Sequence, residues 1–299
     1  MQVRRGTAAA QVALVVCSMV GASSAPTVAD RVLGTASHAA VVVAGAYART
    51  APPPPLPGGA RRAIVRWTAG RLRRELVEVA PAAAARPLPL VVVLHGRRQT
   101  PWRAERVEGW DALAAAGQAV IAYGAGYAGS WNAGSCCGSA VAHHIDDDAY
   151  LLHLLRVEKA RHLIDGRRVF LVGFSNGGML AYRFACLHSA DISAFAVVAG
   201  ALEVPSCRPS RALSVLDVEG NADRVVPYGG SAFSRVAGAR ITSVPRSLRS
   251  WQAAARGAAE VQLVRLPGVG HEWPTRRRGW DATERIWRFL DAHPAATSQ

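Results

Sequence analysis

The sequence predicts an α/β chain: a mostly parallel central sheet with helices on both faces. Three observations carry this. Strand-like and helix-like stretches alternate from about residue 71 to residue 291. One of the strand-like runs, Leu88–Leu94 (LPLVVVL), is apolar throughout, as a strand covered on both faces must be. Another, ending at Gly173, passes directly into a helical stretch from Asn176. Repeated β–α units of this kind bury one sheet between two helical layers.

The elements follow in order. Arg71–Val79 alternates and reads as an early strand, and Leu88–Leu94 as the first buried one. Val107–Gly117 is helical and Ala119–Tyr123 a short strand. Asp146–Ile164 is a long amphipathic helix, with acidic residues in its first turn where the helix dipole favours them. Val169–Gly173, Phe195–Val198, Leu213–Val218 and Val261–Leu266 are further strands, and Ser247–Arg256 and Asp281–Asp291 further helices. In such sheets the reactive groups gather at the carboxyl ends of the strands.

Before this region the chain has a different character. Met1–Arg5 is a short basic segment, followed by an apolar run from Ala8 to Ala22. At about fifteen residues that run suits a signal peptide better than a membrane span of about twenty. Cleavage is expected after Ala25 or Ala29, and Pro26 favours the second. Residues 1–29 are therefore expected to be a leader. Cys17 is a poor lipidation site because bulky Val16 precedes it, while the apolar run Ala39–Ala46 leaves an uncleaved anchor open. Residues 30–59 end in APPPPLPGG, a stiff linker closing on flexible glycines. The folded domain is expected over 60–292, with a short tail at 293–299 and no stable membrane insertion once the leader is gone. The protein is expected to be secreted or periplasmic.

The 299 residues carry a formal charge of +14. Lys159 is the only lysine, so 34 of the 35 basic residues are arginine, and with the many Ala and Gly this fits a GC-rich codon bias. The arginines are scattered and no nucleic-acid motif accompanies them, so nucleic acid is not an expected partner. A polyanion-binding role would show as a steep loss of affinity with salt. Half the residues are hydrophobic, enough for a core.

Gly173-Phe174-Ser175-Asn176-Gly177 is a G-x-S-x-G sequence between the strand RVFLV and the helix GGMLAYRFA. In that context it is a nucleophile elbow, which identifies the α/β-hydrolase fold. The turn is so tight that its neighbours must lack bulk, hence the flanking glycines. A serine hydroxyl needs a base, and in this fold the order is Ser, then Asp or Glu, then His. Of nine histidines, His271 lies in Gly268-Val269-Gly270-His271-Glu272-Trp273-Pro274, just after the strand VQLVRL. For the acid, Asp223 lies in the loop Gly220-Asn221-Ala222-Asp223, whereas Asp217 falls inside a strand and suits a buried structural role. The oxyanion donors are expected to be the amides of Asn176 and Arg97, the latter in the loop opened by His95-Gly96. His95 is expected to orient that loop or touch substrate. Trp131 and Asn132, in the small and polar stretch 130–138, and Trp273 are further candidates for substrate contact.

With the leader removed, four cysteines remain: Cys136, Cys137, Cys186 and Cys207. An even number in an oxidising compartment suggests two disulfides. Four cysteines allow three connectivities, and a bond between the neighbours Cys136 and Cys137 is expected to be strained, which favours cross-pairing. No metal or cofactor is expected: the only local His/acid cluster, His143-His144 near Asp146–Asp148, suits a helix start, and no phosphate loop or dinucleotide fingerprint is present.

LHG at 94–96, WNAG-x-CCG at 131–138, GFSNGG-x-x-AYR-x-AC at 173–186, the Asp223 loop and G-x-GHEWP at 268–274 occur together and in order. The combination resembles the polyhydroxybutyrate-depolymerase-like esterases, a group close to the feruloyl and acetylxylan esterases of carbohydrate esterase family one. It spans about residues 60–292. The resemblance implies an α/β-hydrolase fold, secretion, ester hydrolysis, and nucleophile, acid and base at Ser175, Asp223 and His271. It also places family cysteines at Cys136 and Cys137, with Cys186 and Cys207 where relatives often carry cysteine. Two positions depart from it: Arg97 stands where relatives often have cysteine, and Glu219-Gly220 where the acid loop usually begins His-Gly. No separate polymer-binding module is expected after the last helix, which turns the expectation towards smaller partners: a feruloyl or acetyl ester linked to polysaccharide, an oligomeric hydroxyalkanoate, or a short-chain ester. A serine peptidase or acyltransferase on the same three residues, and a non-catalytic binding protein on the same scaffold, are the rival readings.

Overall fold

The computed structural model describes residues 55–235, 237–255 and 259–296. The expected leader, with Cys17 and the run Ala39–Ala46, lies outside the described residues. Eight strands form one sheet: β1 (Ala60–Ala69), β2 (Leu72–Pro81), β3 (Leu88–Leu94), β4 (Val120–Gly124), β5 (Ile164–Phe174), β6 (Ala194–Val198), β7 (Ser214–Gly220) and β10 (Val261–Leu266). Their spatial order is β1-β2-β4-β3-β5-β6-β7-β10. β1 and β2 form an antiparallel hairpin, β2 joins β4 antiparallel, and from β4 to β10 every pairing is parallel. β8 (Ser231–Ser234) and β9 (Ala239–Ile241) make a separate two-stranded ribbon. This is the α/β-hydrolase fold.

The helices are α1 (Pro101–Glu108), α2 (Asp111–Ala115), α3 (Ser139–Ala142), α4 (Asp147–Arg161), α5 (Asn176–Leu187), α6 (Val244–Ala255) and α7 (Ala282–Asp291). Two apolar layers sandwich the sheet. On one face Tyr150, Leu151, Leu154 and Leu155 of α4, Met179, Leu180 and Phe184 of α5 and Trp251 of α6 belong to one buried cluster with the even-numbered residues of β3. On the other, Trp110, Ala114 and the α7 residues Ile286, Phe289 and Leu290 belong to one buried cluster with Val91 and Val93. All seven residues of β3 are buried, as its unbroken apolar run requires.

Caps set several helix ends. Thr100 accepts from the Arg103 amide before α1, and Pro101 occupies its first turn, where a missing N–H costs nothing. Gly109 then takes φ +76° and ends the helix. The helical stretch expected over Val107–Gly117 is thus two helices broken at Gly109. Asp146 and Asp281 cap α4 and α7 through the amides of Ala149 and Glu284. The hairpin strand β1 and the ribbon β8–β9 had no clear pattern in the sequence. Arg66 faces Glu75 across the hairpin, one of the charged pairs that β1 exposes on its solvent side.

The cysteine pairing corrects the sequence expectation. Cys136 is bonded to Cys137, and Cys186 to Cys207. The fold decides this: Cys186, near the end of α5, has Cys207 5.0 Å away between Cα atoms, inside the span a disulfide bridges. Cys136 and Cys137 are left with each other, joined by a cis peptide.

Candidate active site

The carboxyl ends of β3, β5, β7 and β10 converge. Register places Leu94 beside Gly173, and Gly173 beside Val197. The turn after β5 forces Ser175 to φ +54°, ψ −120°, an uncommon conformation for a residue with a side chain. Its amide is held by the carbonyl of Val198, 2.8 Å away. The flanking glycines are obligatory. A Cβ on Gly173 would lie 2.2 Å from the Gly177 carbonyl oxygen, and one on Gly177 2.2 Å from that of Leu94. Backbone meets backbone there, so no side-chain rotation relieves the clash.

Two loops carry the partners and brace one another. Ala222 N–H donates to the Val269 carbonyl at 3.0 Å, Asn221 N–H to that of Leu266 at 3.1 Å, and Gly268 N–H to Asn221 Oδ1 at 2.7 Å. Gly220 is pressed on the Val269 carbonyl, where a Cβ would sit 2.2 Å away. The result is a continuous chain of polar contacts. Ser175 Oγ lies 2.8 Å from His271 Nε2, and His271 Nδ1 lies 2.7 Å from Asp223 Oδ2. The other oxygen of Asp223 accepts from the amides of Val225 (2.7 Å) and Val226 (2.9 Å). Those two bonds fix the carboxylate in place. The Phe174 ring lies 5.0 Å from that of His271. Asp217, by contrast, is fully buried on β7 and accepts from the Tyr182 hydroxyl at 2.7 Å.

A cavity of about 160 Å3 opens over Ser175. Phe174, Met179, Val225, Val226 and Ala237 give it apolar walls, and Arg97, Arg98 and Gln99 the polar side. Arg97 and Asn176, the expected oxyanion residues, both line it. Asn176 opens α5, so its amide is among those a helix leaves without an internal partner.

His95, Trp131, Asn132 and Trp273 do not line this cavity; their polar groups are used to build its supports. His95 is fully buried, accepts from the Gly126 amide at Nε2 (3.1 Å) and contacts the Gly96 carbonyl through Nδ1 (2.8 Å). The proton therefore sits on Nδ1. Burial pulls its pKa down to about 4, so the ring is neutral and holds the 95–97 turn against 126. Trp131, also fully buried, donates from Nε1 to the His95 carbonyl at 2.9 Å. Its backbone is clamped at both ends by Asn176: Trp131 N–H donates to Asn176 Oδ1 (2.8 Å), and Asn176 Nδ2 donates to the Trp131 carbonyl (3.0 Å). Asn132 bonds Asp147 Oδ2 through its amide and the Ile145 carbonyl through Nδ2. Trp273 packs on the far apolar layer beside Trp110 and donates to Thr283 Oγ1. The wall residues Phe174, Met179, Val225 and Val226 were not foreseen, although each adjoins a motif: Phe174 is the x before Ser175, and the two valines follow Asp223.

Sheet order and elbow are those of the α/β-hydrolase fold, with a serine, a histidine and an aspartate brought together at the carboxyl ends of its strands. Residues 85–227 match the family model described as serine aminopeptidase, S33, a stretch that includes Ser175 and Asp223 and stops short of His271. Among curated proteins, NocK of Nocardia uniformis subsp. tsuyamanensis, whose name proposes an esterase, is 33% identical over 57% of this chain and 50% of its own length. Feruloyl esterase B of Piromyces equi is 25% identical over 56% of this chain and 36% of its own, so the chain spans half or less of these relatives. Among solved structures, native sOPH superposes with TM-score 0.59 at 16% identity, covering 83% of this chain and 92% of that one. An S-formylglutathione hydrolase from Agrobacterium tumefaciens gives 0.55 at 12%, covering 80% and 97%. At such identities the structural likeness is one of fold.

Proposed function

We propose that the protein is an exported carboxylic ester hydrolase that works through an acyl-enzyme on Ser175. The unbroken contact chain Ser175–His271–Asp223 at 2.8 and 2.7 Å carries this reading. His271 takes the Ser175 proton as Oγ attacks the ester carbonyl, and Asp223 holds the imidazole with its Nδ1 proton inward and stabilises the imidazolium. The amides of Asn176 and Arg97 receive the oxyanion. Collapse expels the alcohol, which takes the proton from His271. Water, deprotonated by the same histidine, then cleaves the acyl-enzyme to acid and free Ser175.

The cavity of about 160 Å3, with apolar walls, suits a small acyl group or one aromatic ring better than a long chain. Feruloyl, acetyl and short hydroxyalkanoyl esters all meet that limit, and the names of the curated relatives point the same way. A serine peptidase would need the same three groups, and the family model over 85–227 bears an aminopeptidase's name, so an amide substrate belongs in the test. The test is fluorophosphonate labelling of the purified protein beside Ser175→Ala. Turnover of p-nitrophenyl esters from acetate to octanoate, methyl ferulate and an aminoacyl p-nitroanilide follows. The expected result is labelling and ester turnover that disappear in Ser175→Ala, with preference for acyl groups of up to about ferulate size. A folded wild type that resists the probe would end the catalytic reading, and anilide turnover matching ester turnover would replace esterase by peptidase.

A further inference from the structure

A second cluster lies at the opposite end of the sheet from Ser175. Glu78 sits in β2, Glu158 in the last turn of α4, and His162 immediately after that helix. One ligand atom from each lies within 4.8 Å of the others. His162 Nε2 is 2.9 Å from Glu78 Oε2 and 3.9 Å from Glu158 Oε2. Both carboxylate side chains are completely buried, and the imidazole is 10% exposed.

Three buried carboxylate oxygens of the cluster have no hydrogen-bond partner: Glu78 Oε1 and both oxygens of Glu158. Glu78 has cationic company, with Arg161 Nε at 2.8 Å and Arg61 at 3.8 Å. Among the described residues the one ion pair of Glu158 is the long contact with His162. An ionised carboxylate so placed is uncompensated. Protonating it does not resolve the difficulty, because its O–H would then also be buried without an acceptor.

We propose that Glu78, Glu158 and His162 bind a divalent metal ion, with Zn2+ the best fit. Zinc accepts imidazole nitrogen and carboxylate oxygen at about 2.0–2.2 Å, which puts tetrahedral donors roughly 3.4 Å apart. The 2.9 and 3.9 Å separations bracket that value, so small side-chain shifts complete the triangle. The slight exposure of His162 admits a water as fourth ligand. β5 begins two residues after His162 and runs eleven residues to end at Phe174, the residue before Ser175. The register shifts near the start of β5, so Ile164 lies beside Leu88 and Gly173 beside Leu94; those six steps of β3, at about 3.3 Å each, put the metal some 20 Å from the nucleophile. It therefore joins the end of α4 to the antiparallel side of the sheet and takes no part in ester chemistry.

The test uses the full chain, stripped with chelator and titrated with ZnCl2 alone. Bound zinc is measured by mass spectrometry after desalting, and the midpoint of thermal unfolding with and without zinc. One zinc per chain is expected, with an upward shift of about 5–10 °C at a hundredfold excess over the dissociation constant. Co2+ in the same site is expected to show the intense visible absorption of a tetrahedral complex. Glu158→Gln preserves shape and removes the uncompensated oxygen, and His162→Gln removes the nitrogen. Both are expected to lose the zinc, the shift and the cobalt spectrum, while fluorophosphonate labelling at Ser175 reports that they are folded. Zinc bound equally by wild type and by both folded variants, or a wild type that neither binds zinc nor shifts, would overturn the proposal.

Discussion

The tightest test of the proposed machinery is Asp223→Asn, because the structure dictates how the amide must sit. Asp223 Oδ1 accepts from two backbone amides, at 2.7 and 2.9 Å, and Oδ2 meets His271 Nδ1 at 2.7 Å. An asparagine has one acceptor oxygen. Turned towards His271, that oxygen would leave an NH2 group facing the Val225 and Val226 donors, losing two hydrogen bonds of about 1 kcal/mol each and adding donor–donor repulsion. It therefore faces the two amides and presents its NH2 to His271. Nδ1 must then accept, so the ring proton moves to Nε2, where it points at Ser175 Oγ. A histidine in that tautomer cannot take the serine proton. The expected cost is about 10^3–10^4 in kcat, or roughly 4–5.5 kcal/mol, with KM little changed. Steady-state hydrolysis of p-nitrophenyl acetate measures it, and an unchanged unfolding midpoint shows that the loop is intact. A folded variant retaining more than a tenth of wild-type kcat would refute the assignment of Asp223 as orienting acid.

Two further outcomes follow from the same geometry. Gly177→Ala drives a Cβ to 2.2 Å from the Leu94 carbonyl oxygen, a clash between backbone atoms that only a displaced elbow relieves. Destabilisation of about 3 kcal/mol or more is expected in urea unfolding, together with lost fluorophosphonate labelling, and a variant of native stability would contradict the packing described. Glu108 is buried, and that burial raises its pKa to about 8 against the weaker opposing pull of the Trp110 Nε1–H bond. Its folded pKa exceeds its unfolded one, so the stability it contributes is full below about pH 4.5 and is lost as pH rises towards 8. Glu108→Gln keeps the Trp110 bond and cannot ionise. The variant's unfolding midpoint relative to wild type is therefore expected to climb between pH 5 and pH 8, and parallel pH curves would sink that account.

The legible parts of this chain are those fixed by steric or periodic necessity over a short span. β3 announces itself because a strand buried on both faces needs an unbroken apolar run, and the observed Leu88–Leu94 coincides with it. Ser175 was legible because a turn that brings Gly177 against Leu94 admits no other residue at its flanks. Boundaries drifted where the signal was a cap: one helical run, Val107–Gly117, became two when Gly109 adopted φ +76°. β1 was missed because its burial alternates only weakly and its partner, β2, rather than its own pattern, defines it.

Long-range pairing was the illegible part. Cross-pairing of Cys136 and Cys137 looked easier than bonding neighbours, since nothing in the chain tells that Cys186 and Cys207 come within 5.0 Å. The cluster Glu78–Glu158–His162 brings Glu78 to a pair 80 and 84 positions further along, which no local pattern of the kind at His143-His144 reveals. The residues 131 and 132 show the same limit in reverse. A polar, aromatic loop beside a reactive serine invites the reading that it holds substrate. Yet Trp131 and Asn132 direct their hydrogen bonds inward, to His95, Asn176, Ile145 and Asp147. Asn176 uses both ends of its side chain on Trp131, which leaves its backbone amide as the group it presents to the cavity. The polar residues of the motif thus hold the turn beside Ser175, and the apolar neighbours Met179, Val225 and Val226 line the cavity. The motif records where the elbow is held rigid, and the walls of the cavity come from the residues around it.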